Sequence, residues 1–289
     1  MSTRRDESID ILMITYNRPE YTRLALDRLL ATCDEQMRVW LWHNGSHEPT
    51  LAVVRSFLDH PRIHCFHHSL DNVKVREPTN WLWSEAKGAF LSKVDDDCLM
   101  PDAWAATLRA AHRDVPQLGI VGSWRFHAED FRPETAARRI QSFPGGHRIL
   151  RNNWIEGSGY LMKRRVVEQG GPLPHGEVFT AFCKRAAARG WINGWYYPFL
   201  HQEHMDDPRS PYCLIATDED LQRSAPLSAA NFGIETVDGR VEQIRRFAHE
   251  VQTASIHPRA HVGWRGFVRR VRGKARRLLG RGMQRTART

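Results

Sequence analysis

The sequence predicts an α/β protein, with a mainly parallel sheet flanked by helices and a basic amphipathic helical extension at the C-terminus. Three observations predict it. Apolar, β-branched runs alternate with helix-period segments through the first half at the spacing of βαβ units. One of those runs, residues 89–94, passes directly into Asp95-Asp96-Asp97. Residues 259–289 collect eleven Arg and Lys, with no Asp or Glu, among regularly spaced apolar side chains.

In order along the chain, residues 9–16 are β-branched and apolar, the mark of a strand. Pro19 then sits where a helix prefers to begin, and Tyr21, Leu24, Ala25 and Leu29 follow at helical intervals. Residues 39–42 make a second strand, stopped by the turn cluster His43-Asn44-Gly45-Ser46. A helix over 50–58, a strand over 63–67 and a helix over 78–87 lead to the strand that ends at the three acids. A helix to about residue 113 and a strand over 118–124 complete the regular part. Strands joined by helical crossovers imply a largely parallel sheet covered on both faces.

The second half is less periodic. Residues 127–151 are polar and contain Pro133, Pro144 and Gly145-Gly146, which reads as a long loop able to close over a ligand. Residues 155–162 carry Gly157-Ser158-Gly159, where absent side chains let backbone approach a substrate, unless this is a simple bulge. A helix over 176–189 is ended by Gly190, and an aromatic strand follows over 191–200. The expected division is a main domain over 1–215, an extension over 216–258 packing on it, and the basic tail.

Composition narrows the function. At 289 residues and 41% hydrophobic content the chain buries a sizeable core. The formal charge of +9 belongs to the tail, so the rest is nearly neutral and no nucleic-acid partner is expected for it. Cys33, Cys65, Cys98, Cys183 and Cys213 are scattered, with no Cys-x-x-Cys pair to suggest zinc or redox work. Reduced thiols in the cytoplasm are the simpler reading. No stretch approaches the ~20 apolar residues that span a bilayer.

The acidic triplet carries the chemistry. Strands of an open α/β sheet end at the crevice where ligands bind, so acids placed there face a site. Adjacent carboxylates repel one another, and a divalent cation with a preference for hard oxygen ligands is their natural partner. Mn²⁺ or Mg²⁺ and a phosphorylated substrate follow; the plain alternative is an acidic turn. Downstream, residues 201–209 hold six ionisable side chains, too polar for a core strand and therefore a surface loop or a site. His201 and His204 are too close for a zinc-peptidase pair.

Taken in order, Ile14-Thr15-Tyr16-Asn17-Arg18, His43-Asn44-Gly45-Ser46, Asp95-Asp96-Asp97 and Gly157-Ser158-Gly159 resemble a family 2 glycosyltransferase of the GT-A type over residues 9–200. The resemblance implies a Rossmann-like sheet, a nucleoside-diphosphate-sugar donor, a divalent cofactor and inverting transfer of a hexosyl group to a hydroxyl acceptor. It implies that Thr15, Tyr16 and Arg18 line the nucleotide pocket. Asp95 would reach the ribose side and Asp97 the metal, with Asp96 either beside Asp95 or turned away. His43 stands where the family commonly has an acid, and an imidazole cannot accept two hydrogen bonds as a carboxylate does. It is either a nucleotide contact or a structural residue of the turn. The stretch His175-Gly176-Glu177-Val178 matches the family's acid pair imperfectly, making Glu177 the catalytic base or else an acid complementing a helix dipole. Asp206 or Asp207 is the substitute base, and His204 a further metal or diphosphate contact.

In the tail, Trp264, Phe267, Val268, Val271, Ala275, Leu278 and Leu279 form one apolar stripe among arginines. This predicts a helix lying on an anionic membrane surface, with a nucleic-acid arm or a solvated tail as alternatives. An enzyme acting on a glycan or lipid-linked acceptor at the cytoplasmic face of the cell membrane needs such an anchor. Two competing functions remain. A nucleotidyltransferase would want a Gly-rich basic loop where Asn17-Arg18-Pro19-Glu20 stands, and a catalytically degenerate glycan-binding or scaffolding protein would tolerate His43 and the incomplete acid pair.

Overall fold

Nine strands form one sheet in the order β3-β2-β1-β4-β9-β6-β10-β8-β7, seen in a computed structural model that describes residues 6–224 and 226–258. The predicted amphipathic tail lies outside the described residues. Strands β1 (Ile9–Thr15), β2 (Met37–Asn44), β3 (Ile63–Ser69) and β4 (Phe90–Lys93) run parallel. So do β6 (Leu118–Gly122) and β10 (Ile192–Tyr197). Every residue of β1 is buried, which is why its sequence, Asp10 and Thr15 apart, is apolar rather than alternating. Period-two geometry sends Ile9, Ile11 and Met13 into one core and Leu12 and Ile14 into the other.

Helices cover both faces. On one, α1 (Pro19–Ala31) starts on Pro19 and buries Tyr21, Ala25, Leu26 and Leu29, while Leu24 is exposed. Beside it pack α2 (Glu48–Arg55) through Val54 and α4 (Trp104–Asp114) through Trp104, Leu108 and Ala111. On the other face α3 (Arg76–Glu85) brings Leu82 and Trp83.

The polar stretch expected as a loop departs from expectation. After the short α5 (Pro133–Ala136), residues 140–152 form a hairpin of β7 (Ile140–Ser142) and β8 (Arg148–Asn152), with β8 antiparallel to β10. Gly145 and Gly146, both at left-handed φ, supply the turn, and Ile149 and Leu150 are wholly buried. The hairpin extends the sheet, so this stretch is not a free lid.

A second insertion is β9 (Tyr160–Lys163), antiparallel between β4 and β6. It is followed by α6 (Arg164–Gly170) and α7 (Phe179–Ala188), which begins three residues later than the sequence suggests. Gly159, at φ 62°, donates its N–H to Lys93 and accepts from Ser123, and a Cβ there would collide with Gln202. That close approach demands glycine.

Beyond residue 215 come α8 (Asp218–Ser224), α9 (Leu227–Phe232) and α10 (Val237–Thr253). Thr236 caps α10 by accepting from the Gly239 N–H at 3.1 Å. Ile244, Ala248 and Val251 of α10 enter the same core as Trp83 and Phe182. Its C-terminal end is pinned by Arg139 and Asn152, which both donate to the Val251 carbonyl, and by Gln252, which donates to the Asp130 carbonyl.

Candidate active site

The acids lie at the carboxyl end of β4. A two-residue antiparallel ladder between β5 (Cys98–Leu99) and β11 (Glu203–His204), with Cys98 opposite His204, draws the 201–209 loop across them. The Met205 N–H closes the arrangement on the Asp97 carbonyl at 2.8 Å. As a result Asp97, His204 and Asp206 each offer a ligand atom, all within 4.8 Å of one another.

Burial shapes the electrostatics of this triad. It pushes the Asp206 carboxyl up to about 6, against the pull of Arg18, with Asp97 adding to the rise. His204, 7% exposed, is driven down to about 3 by burial and by neighbouring Arg125, whose Nη1 lies 3.4 Å from Nε2. The imidazole is therefore neutral, the form that binds metals. Asp97 is held below the usual carboxylate range: burial opposes this, but His204 and Arg18 outweigh it. Asp206 Oδ1 is buried with no hydrogen-bond partner among the described residues. Two carboxylates, one imidazole and an orphaned oxygen fit a hard divalent cation such as Mn²⁺ or Mg²⁺.

Beside the triad, a cleft of about 370 Å³ opens at the carboxyl ends of β1, β2 and β3. Tyr16, Asn17, Gly45, Ser46, Asp71 and Asn72 are among its lining residues. Tyr16 is 41% exposed, and its N–H reaches Asp96 Oδ2 at 3.2 Å, so cleft and acids are contiguous through one residue.

Residues 10–189 match the family model for glycosyl transferase family 2. The chain belongs to that family. Its GT-A-like architecture is shared with solved structures at low identity. A mannosyltransferase from Pyrobaculum calidifontis, PcManGT, in complex with GDP-Man and Mn²⁺, superposes with a TM-score of 0.56 at 16% identity, over 96% of this chain and 81% of that one. Residues 1–349 of S. aureus TarS give 0.51 at 11% identity, over 87% and 88%.

The other site residues singled out by the sequence occupy distinct places in this family 2 fold. Arg18 Nη1 sits 3.3 Å from Asp97 Oδ2 and 2.8 Å from Asp206 Oδ2. Asp96 turns toward α1, where Thr22 Oγ1 donates to it at 3.4 Å, and burial lifts its carboxyl to about 7. Asp95 is ion-paired with Lys93, and its N–H donates to Ser158 Oγ at 2.9 Å. Thr15 and His43 are fully buried and bonded to each other at 2.8 Å, which places them beneath the surface. Burial and then His68 lower His43 to about 4, and its Nε2 has no partner among the described residues. Asp207 points away from the triad into Arg209, which also holds Asp130 and Glu129. Glu177 makes a two-pronged ion pair with Arg185 at 2.8 and 2.6 Å, while Arg185 Nη1 donates to the Gly170 carbonyl. These contacts of Glu177 are with Arg185 and not with the triad.

Sequence reasoning passed over several neighbours. Lys93 and Arg125, the latter with its partner Glu156 at 3.0 Å, stand beside the acids, and Ser158, noted in the sequence only as part of the Gly157-Ser158-Gly159 motif, accepts from the Asp95 N–H. Asp71 and Asn72 line the cleft. The last two carried a usable signal, since they form a polar turn at the carboxyl end of a parallel strand.

Proposed function

We propose that the protein is an inverting, metal-dependent glycosyltransferase that moves a hexosyl group from a nucleoside diphosphate sugar to a hydroxyl acceptor. The observation that carries this reading is the Asp97–His204–Asp206 triad standing beside a strand-end cleft in a family 2 chain. In this reading the nucleoside seats against the exposed Tyr16 ring, with Asp71 and Asn72 offering polar edges. The diphosphate then lies toward the acids, and Lys93 balances the charge of Asp95. Asp97, His204 and Asp206 would hold a divalent ion, which when bound would supply Lewis-acid stabilisation to the departing diphosphate, worth several kcal/mol. Glu177 takes the proton from the acceptor hydroxyl, and Arg185 fixes the direction of its carboxylate. Asp206 serves as a ligand rather than as the base, and Asp207 holds the loop through Arg209.

The acceptor is a glycan or a lipid-linked saccharide, and the enzyme works at the cytoplasmic face of the membrane. No helix among the described residues is long and apolar enough to cross a bilayer. Attachment falls instead to residues 259–289, each basic residue contributing on the order of 1 kcal/mol on an anionic leaflet. Deleting them releases the protein from anionic vesicles if this is right; unchanged binding refutes it.

The test of the chemistry is release of nucleoside diphosphate from a panel of donors with Mn²⁺, with GDP-mannose first because a similar structure binds it. Metal-dependent release that disappears in Asp97→Ala is the expected result. Release that survives in Asp97→Ala overturns the metal assignment, and none from the wild type leaves a binding protein.

A further inference from the structure

We infer that Arg18 is the resident counter-cation of the metal site, displaced by the divalent ion and handed on to the diphosphate. This rests on the metal-dependent reading above and assigns a positioning role within it. The guanidinium does not lie alongside the acids; it is inserted between two of them. A single nitrogen, Nη1, touches Asp97 Oδ2 at 3.3 Å and Asp206 Oδ2 at 2.8 Å, and these are the only hydrogen bonds the Arg18 side chain makes among the described residues. Both carboxylates belong to the candidate triad. A divalent ion held by these two carboxylates, whether through the unpartnered Asp206 Oδ1 or through the oxygens that Nη1 occupies, would lie within a few ångströms of the guanidinium. Two cations a few ångströms apart in a buried site repel strongly, so the ion and Nη1 cannot share those oxygens.

The geometry also says where the guanidinium goes. Arg18 is the residue before α1, and its carbonyl is fixed by the Thr22 N–H at 2.9 Å. The backbone is thereby held, so a change of partner falls to the side chain, whose guanidinium lies over the Tyr21 ring at 5.7 Å. The two residues before it, Tyr16 and Asn17, line the cleft, with Asn17 at a left-handed φ of 53° that turns the chain there. A guanidinium leaving the acids therefore stays at the rim of the proposed nucleotide site. Its planar fork, used end-on through one nitrogen in this state, suits a bidentate grip on phosphate oxygens. Metal entry and diphosphate binding are then coupled through one side chain: the ion frees the arginine, and the arginine's new partner stabilises the state in which the ion is bound.

Arg18→Gln tests this by two affinities that must move in opposite directions. Mn²⁺ alone, titrated by calorimetry or by loss of the free-ion electron paramagnetic resonance signal, is expected to bind the variant about tenfold more tightly than wild type. GDP or UDP, whichever binds wild type better, is expected to bind the variant about tenfold more weakly at saturating Mn²⁺. Arg18→Lys, which keeps a charge but loses the fork, should leave Mn²⁺ binding near wild type and still weaken the nucleotide. If Arg18→Gln binds Mn²⁺ no better than wild type, or binds nucleotide as well as wild type, the inference is overturned; a misfolded variant is exposed by its unfolding temperature, and Arg18→Lys then decides. Wild type that binds no Mn²⁺, or binds it equally after Asp97→Ala, refutes instead the metal reading on which this rests.

Discussion

Asp10 and the Asp97–Asp206 pair are carboxylates largely withdrawn from solvent at opposite ends of the sheet, and the fold treats them in opposite ways. Asp10, near the amino end of β1, is fully buried and accepts hydrogen bonds from Arg38 Nε and Nη2, Trp40 Nε1 and the N–H groups of Lys87 and Gly88. Its lone pairs are saturated by donors from two separate segments, β2 and the turn before β4. At the carboxyl end, Asp97 and Asp206 share one nitrogen of Arg18, and an oxygen of Asp206 has no partner among the described residues. Burial without saturation is costly, since an unpaired buried acceptor loses its hydration for nothing. A protein keeps such a group where a ligand completes it. The amino end shows a carboxylate used as mortar, the carboxyl end one held in reserve.

The comparison is broken most readily at Asp97. Asp97→Ala should cut metal-dependent turnover on the order of a thousandfold, about 4 kcal/mol of barrier, with a much smaller fall in unfolding temperature than a change at Asp10 produces. Arg18 then serves Asp206 alone, and one of two mutually repelling acids is gone. Destabilisation of the kind expected at Asp10 would show that the site acids are structural. Asp10→Asn should do the reverse, costing about 3 kcal/mol in urea unfolding because two arginines and an indole lose their common acceptor, while Mn²⁺ affinity of the folded protein stays unchanged. A matching loss of Mn²⁺ binding would erase the division between the two ends.

The smallest effect concerns pH. His112 of α4 is 1% exposed, its Nε2 3.0 Å from the Leu161 carbonyl, and burial and then Lys163 bring it down to about 3. Below pH 6.5 the unfolded chain binds a proton that the folded chain refuses. Stability is therefore fully present above pH 6.5 and is lost as the pH falls toward 3, by roughly 2 kcal/mol between pH 6.5 and 5. Asp206 has the opposite sign: raised to about 6, it adds stability as the pH drops from 6 toward 4. Urea unfolding at pH 7 and pH 5 separates them, with His112→Gln flattening the profile and Asp206→Asn steepening it. Unaltered slopes in both variants would mean that neither group titrates as its surroundings imply.

The contrast between the two ends also explains what the sequence disclosed. The parallel strands were readable because burial on both faces leaves continuous apolar runs, and α1 because Pro19 marks its first turn. The β7–β8 hairpin was not: its inward residues Ile149 and Leu150 are flanked by arginines, and the Gly-Gly turn looked like loop. Of the candidate triad, Asp97 was legible from the acidic triplet at a strand end, and His204 from the family resemblance. Asp206 was read as a base, because its grouping with them depends on the two-residue β5–β11 ladder, a non-local pairing with no local pattern to announce it. Lys93 and Arg125 escaped for a similar reason: a lone basic residue beside an apolar strand does not reveal its partner.

The ionic strut behind the triad has a mechanical consequence. Asp207, next to Asp206, is clasped by Arg209, which also grips Asp130; Asp130 is met in turn by Gln252 and Arg245 of α10. Helix α10 is thus the backstop of the ledge that carries Asp206. A chain trimmed after residue 215 would retain every reacting group and still fail, through slackness rather than through loss of any chemistry.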